Sequence, residues 1–143
     1  MDDTVDSRII NEEYLRSLAS TLSGLGSVAT VSVFPKQKQE SVVASLHDER
    51  FPEHVSSAIV EIRAYTTGDF HITYAEHHLG DRRQCRWDRH DQSHNSTDHF
   101  HPLPDAATGD AQDRDFPETL DATLRDVVLP WIDDRIGILW ERE

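Results

Sequence analysis

Two β-rich runs separated by a glycine turn constrain this chain more than any other feature. Residues 56–65 carry Ile59, Val60 and Ile62, and residues 70–74 alternate as Phe70, Ile72 and Tyr74 against His71 and Thr73. Thr67-Gly68-Asp69 stands between them, a turn signal flanked by period-two segments, so the pair reads as a β-hairpin. A second Gly-Asp turn at Gly80-Asp81 leads into a further strand at 82–87. Upstream, 28–34 alternates Val28, Thr30 and Ser32 against Ala29, Val31 and Val33 until Pro35 stops it, and 42–46 is a weaker strand. Short strands in succession joined by turns predict an antiparallel meander.

Helical spacing brackets the sheet. Asn11-Glu12-Glu13 precedes Tyr14, Leu15, Leu18, Leu22 and Leu25. Asn11 is the expected N-cap, the glutamates favour the positive helix start, and Gly24 and Gly26 end the helix. At the other end Leu120, Leu124, Val127, Val128, Trp131, Ile132, Ile136 and Leu139 recur at helical spacing, with Asp115 or Thr119 as the cap. Pro130 is expected to kink that helix. The predicted fold is therefore α+β, one domain over residues 1–143. An antiparallel meander carries an N-terminal helix, with a long C-terminal helix packed on one face. Cys85, Trp131 and Trp140 are expected to pack in the core or at an interface, and His71, His77 and His78 to be structural.

No apolar run approaches the roughly 20 residues of a membrane span. Met1 to Asp6 is acidic and polar, unlike a signal peptide, so the cytoplasm is the expected address. A single cysteine excludes a disulfide framework and paired-cysteine zinc sites. The formal net charge is −13, and its make-up is unusual: Lys36 and Lys38 are the only lysines, and Asp outnumbers Glu. Short hydrated carboxylates with few lysine stems fit a cytoplasm of molar salt, and a halophilic source is expected. At such salt the Debye length is about 3 Å, so net charge steers little. Acidity then does not exclude RNA; it requires the basic footprint to be local.

That footprint lies at 82–101, the one basic island in the chain, within a His/Asp-rich stretch to residue 115. From 88 to 115 neither helical nor strand period is visible, and a polar loop is expected. The island holds four of the nine histidines, with Arg82, Arg83, Arg86 and Arg89. If His99-Phe100-His101 is extended, both imidazoles share a face and Phe100 points to the core. Two such imidazoles can bind a divalent metal or serve as an acid/base pair on a phosphodiester. Asp88 and Asp98 are candidates to orient the rings. Arg86 and Arg89 can fork onto phosphate. His90 and His94 share a face only if their segment is helical. No phosphate loop, H-E-x-x-H or nucleophile elbow is present.

Arg86-Trp87-Asp88, the spaced histidines and the closing Asp98-His99-Phe100-His101 together resemble the TumE-type toxins of toxin–antitoxin pairs. Those small α+β proteins carry an Arg-aromatic-Asp-Asn run after a strand, a His-Pro loop, a His-x-His ending and a C-terminal helix. The likeness spans about residues 58–128. The chain departs from the pattern at Arg89, in place of Asn. It departs again at His94-Asn95, in place of paired histidines, and at Phe100. With the charge pattern, the resemblance implies a halophilic archaeal branch. It also implies a growth-inhibiting toxin partnered by an antitoxin or DNA-binding regulator, acting on RNA. A second copy of the chain is a further partner to test. The expected roles are His99 and His101 as acid/base pair, Asp88 or Asp98 as orienting carboxylate, and Arg86, Arg89 and His94 for substrate. No cofactor is required, because the RNA 2′-hydroxyl is the nucleophile. The rival readings are a non-enzymatic docking module and a metal-dependent hydrolase with its ion on His99 and His101.

Overall fold

The computed structural model describes residues 9–90 and 97–142. Helix α1 (Glu12–Ser23) starts where its cap dictates: the Asn11 side chain accepts from the Tyr14 N–H at 3.2 Å. Its apolar stripe buries Leu15, Leu18, Ala19 and Leu22. Seven strands follow: β1 (Val28–Val33), β2 (Val42–Leu46), β3 (Val55–Ala64), β4 (Phe70–His78), β5 (Asp81–Arg89), β6 (Asp98–His101) and β7 (Gln112–Arg114). They pair antiparallel in chain order, so the sheet is an uninterrupted meander. The β3–β4 and β4–β5 turns need positive φ at Gly68 (97°) and Gly80 (71°), the region glycine enters without steric cost.

One face of the sheet is apolar by strand alternation. Val42, Ile62, Ile72, Trp87 and Phe100 are cross-strand neighbours in one row from β2 to β6, and all are buried. The C-terminal helix closes this face in three contiguous parts: α2 (Leu120–Thr123), a π turn (Leu124–Val128) and α3 (Leu129–Glu141). Thr119 caps it, accepting from the Ala122 N–H at 3.0 Å. Trp131 inserts its ring among Tyr74, Trp87 and Phe100, at centroid distances of 5.3, 5.3 and 6.2 Å. Cys85 is fully buried there, and burial pushes its thiol pKa up. No helix of the described residues is long and apolar enough to cross a membrane.

The apolar face also encloses an ionic cluster. Glu76 is inaccessible to solvent and accepts from Arg135 Nε (2.7 Å) and Nη2 (2.9 Å), from the Tyr74 hydroxyl (2.7 Å) and from His78 Nε2 (2.8 Å). Burial alone would raise its pKa; these donors outweigh it and hold the group at about 2.

One expectation is corrected. Residues 88–115 are not one loop: β5 runs to Arg89, and β6 and β7 follow. Their alternation is hidden in the sequence because β6 has one apolar residue, Phe100, and β7 is an exposed polar edge. Pro130 lies inside the continuous helix, just after the π turn, and its missing N–H cannot continue the regular α ladder there. The irregularity expected there takes the form of the π turn just before it. Trp140 is half-exposed, its Nε1–H donating to the Arg50 carbonyl at 2.8 Å.

Candidate functional site on the open face of the sheet

Strand alternation sends the remaining side chains of β3 to β7 to the face opposite the helices, and pairing aligns them into two transverse rows. Arg63, His71, Asp88, His99 and Asp113 are successive cross-strand partners. Glu61, Thr73, Arg86 and His101 form the adjoining row. The meander thus converts residues scattered over fifty positions into one polar patch.

Asp88 is its centre and is 1% exposed. Its Oδ1 lies 2.7 Å from His71 Nδ1 and its Oδ2 3.0 Å from His101 Nε2. Arg86 Nε donates to both oxygens, at 2.9 and 2.8 Å. Burial alone would raise the Asp88 pKa; the hydrogen bond and charge of His71, then those of Arg86, outweigh it and hold the carboxyl below its ordinary range. An ionised carboxylate only accepts, so each imidazole nitrogen facing it carries the proton. His71 therefore bonds through Nδ1–H and leaves Nε2 for other work. His101 is more enclosed, with its Nδ1 3.4 Å from the Ala107 carbonyl oxygen. His99 turns the other way, its Nε2 3.3 Å from Asp113 Oδ1.

Beside Asp88 the face is concave. Glu61, Arg63, His71, Thr73 and Arg86 line a hollow of about 240 Å³. Glu61 accepts from Ser41 Oγ (2.8 Å) and pairs with Lys38 (3.0 Å). Burial would raise its pKa, but Lys38, Ser41 and Arg63 together bring it below the ordinary value. A larger hollow, about 400 Å³, lies between α1, the β3–β4 turn and the start of α2. Its groups are engaged with one another: Arg89 there is held by Asp98 and by the carbonyls of Phe116, Pro117 and Glu118, and the Tyr14 hydroxyl donates to Asp121.

Of the residues singled out in the sequence, Asp88, His99, His101 and Arg86 meet on the open face. Phe100 points to the core at 8% exposure. Asp98 and Arg89 belong to the helix-facing side, joined through Arg89 Nε–Oδ1 (2.8 Å) and Nη2–Oδ2 (2.9 Å). Asp98 also accepts from the Phe116 N–H at 2.8 Å, which ties the chain after β7 to β6. His94 lies outside the described residues. His71, read from sequence as structural, is the residue that contacts Asp88 most closely. The signal was available: counting outward from the Gly80 turn pairs position 78 with 81, and hence 71 with 88.

A family model described as toxin TumE matches residues 18–136, from within α1 into α3, and so takes in the whole sheet. No curated protein and no solved structure matches the chain.

Proposed function

The chain belongs to the TumE toxin family, the toxin side of a toxin–antitoxin pair, and from that premise we propose that its open face cleaves RNA phosphodiesters. The observation that carries this reading is the buried Asp88 carboxylate with His71, Arg86 and His101 bound to it at the edge of a hollow. In the proposed reaction the His71 imidazole takes the proton of a 2′-hydroxyl as its oxygen attacks the adjacent phosphorus. The 5′-oxygen leaves with a proton from His99, which flanks Asp88 on the other side. The products are a 2′,3′-cyclic phosphate and a free 5′-hydroxyl, and no cofactor takes part. Asp88 and His101 are positioning residues: they fix the tautomer and orientation of His71 and the set of the Arg86 guanidinium. Arg86 uses only Nε on Asp88, so its terminal nitrogens suit a phosphate, with Arg63 lining the same hollow. The antitoxin is the protein partner implied by the family. A DNA-binding antitoxin would cover this face to silence it.

The docking-module reading would be favoured by a flat, solvated row of histidines; the concavity beside His71 favours chemistry. Expression of the wild-type chain alone is expected to slow growth. The purified protein is expected to leave cyclic phosphate ends on a short single-stranded RNA. His71→Ala and His99→Ala should each lower the cleavage rate by roughly 10²–10⁴-fold, and Arg86→Lys should impair it because lysine lacks the planar fork. His47→Ala, beside Glu49 on a distant turn, is the control and should stay active. Equal cleavage by wild type and both histidine variants would refute the assignment. A wild type that neither cleaves RNA nor slows growth would leave the docking module as the better reading.

A further inference from the structure

The open face holds a second constellation, which shares His71 and Asp88 with the phosphodiester reading and adds His90. We propose that His71, Asp88 and His90 form a binding site for one first-row divalent transition ion, of the zinc or cobalt kind. One ligand atom from each of the three lies within 4.8 Å of the other two, and no other group of three or more His, Cys, Asp or Glu converges in this way among the described residues.

The strands build this convergence. His71 on β4 and Asp88 on β5 are direct cross-strand partners. His90 follows Asp88 by two positions, which returns its side chain to the same face of an extended chain. The His90 N–H bonds to the Thr97 carbonyl at 2.8 Å and carries the β5–β6 ladder one step beyond the strand ends. The His71 and His90 rings stand edge to face at 5.3 Å, and the Tyr65 ring meets His71 edge-on at 5.9 Å. Two donors on paired strands and a third two residues on are held by backbone hydrogen bonds, so the main chain of the site is set before an ion binds.

The donor set decides the class of ion. Two imidazoles and one carboxylate suit zinc, cobalt, nickel or ferrous iron, whereas magnesium and calcium prefer oxygen donors throughout. Three protein ligands leave at least one position for water, the pattern of reactive rather than structural sites. The outer shell is already in place, since Arg86 and His101 fix the Asp88 oxygens. The His71–Asp88 hydrogen bond occupies the space between two of the donors, so binding of an ion displaces a proton. The Arg86 charge opposes a cation here and sets the affinity below that of a buried structural zinc site. His71 is partly exposed, which leaves an entry path from solvent.

The test is a Co²⁺ titration of tag-free, chelator-treated full-length protein, read by visible d–d absorption, followed by displacement with Zn²⁺. One equivalent of bound Co²⁺ is expected. His71→Ala and His90→Ala should each weaken binding by at least tenfold, and His99→Ala should leave it unchanged. His90 lies beyond the end of β5, so its variant keeps the fold even if His71→Ala does not; circular dichroism verifies this. Zn²⁺ should raise the melting temperature of wild type and not of His90→Ala. Absence of a Co²⁺ band at millimolar ion overturns the proposal, as does a band that survives in folded His90→Ala. Loss on His99→Ala with retention in His90→Ala would move the ion to the His99/His101 pair and also overturn it. RNA cleavage is not read in this experiment, so either proposal can fail without the other.

Discussion

Asp88 carries the open face. Its carboxylate is buried yet accepts from one arginine and two histidines, and a buried charge is tolerated only when so paired. Asp88→Asn keeps the shape and removes the charge. It also presents N–H groups to donors that already point at it. Breaking a buried pair from one side costs roughly 3–5 kcal/mol, and a loss of that order is expected in denaturant melts. A change under about 1 kcal/mol, usual for exposed positions, would mean that the three donors do not depend on this carboxylate. Asp98 holds Arg89 and the Phe116 N–H, so a comparable loss on Asp98→Asn would come from the opposite face. Asp98 and Asp88 looked interchangeable in the sequence, ten positions apart in one polar stretch. Strand parity separates them, and parity was hidden because the stretch read as a loop.

At the scale of elements, the sheet and the C-terminal helix are joined by packing and by the ionic tie of Glu76 on β4 to Arg135 on α3. The folded-state pKa of Glu76, about 2, lies below its ordinary value of 4.5. Its contribution to stability is therefore fully present above about pH 4.5 and is lost as pH falls toward 2. Melting temperatures recorded from pH 7 to 2 should fall through that window. Glu76→Gln should start lower and show a shallower acid limb, the remaining slope belonging to Asp88, Asp98 and Glu61. An acid limb of unchanged slope would exclude Glu76 as a main contributor. The meander, the capped first helix and the closing helix were legible because alternation, the Asn11 cap and helical spacing are local signals. The Glu76–Arg135 tie was not legible, since it joins positions 59 residues apart through a helix whose rotation sequence spacing alone leaves open. Strands β6 and β7 were hidden because β6 carries one apolar residue and β7, at the edge of the sheet, carries none, which leaves no apolar alternation to see.

For the molecule as a whole, a net charge of −13 and the buried ion pairs respond oppositely to salt. Repulsion among exposed carboxylates acts through solvent. It is screened as the Debye length falls from about 10 Å at 0.1 M to about 3 Å at 1 M. The attractions that organise Glu76, Asp88 and Asp98 act over hydrogen-bond distances in buried surroundings and are screened much less. Salt should therefore remove the destabilising part of the electrostatics and leave the stabilising part, raising stability on balance. For a chain of this size 1 kcal/mol corresponds to roughly 4 °C in melting temperature. Melts in potassium chloride from 0.05 to 2 M are expected to climb by more than that. Most of the rise should come below 1 M, where the Debye length changes most. Replacing exposed carboxylates away from the open face, such as Glu53 and Asp134, with Gln and Asn should raise the low-salt midpoint and flatten the climb. A midpoint that is flat or falling with salt would mean that ion pairs dominate. The link drawn from −13 and two lysines to a hypersaline cytoplasm would then fail, because the acidic surface would bring no folding advantage there.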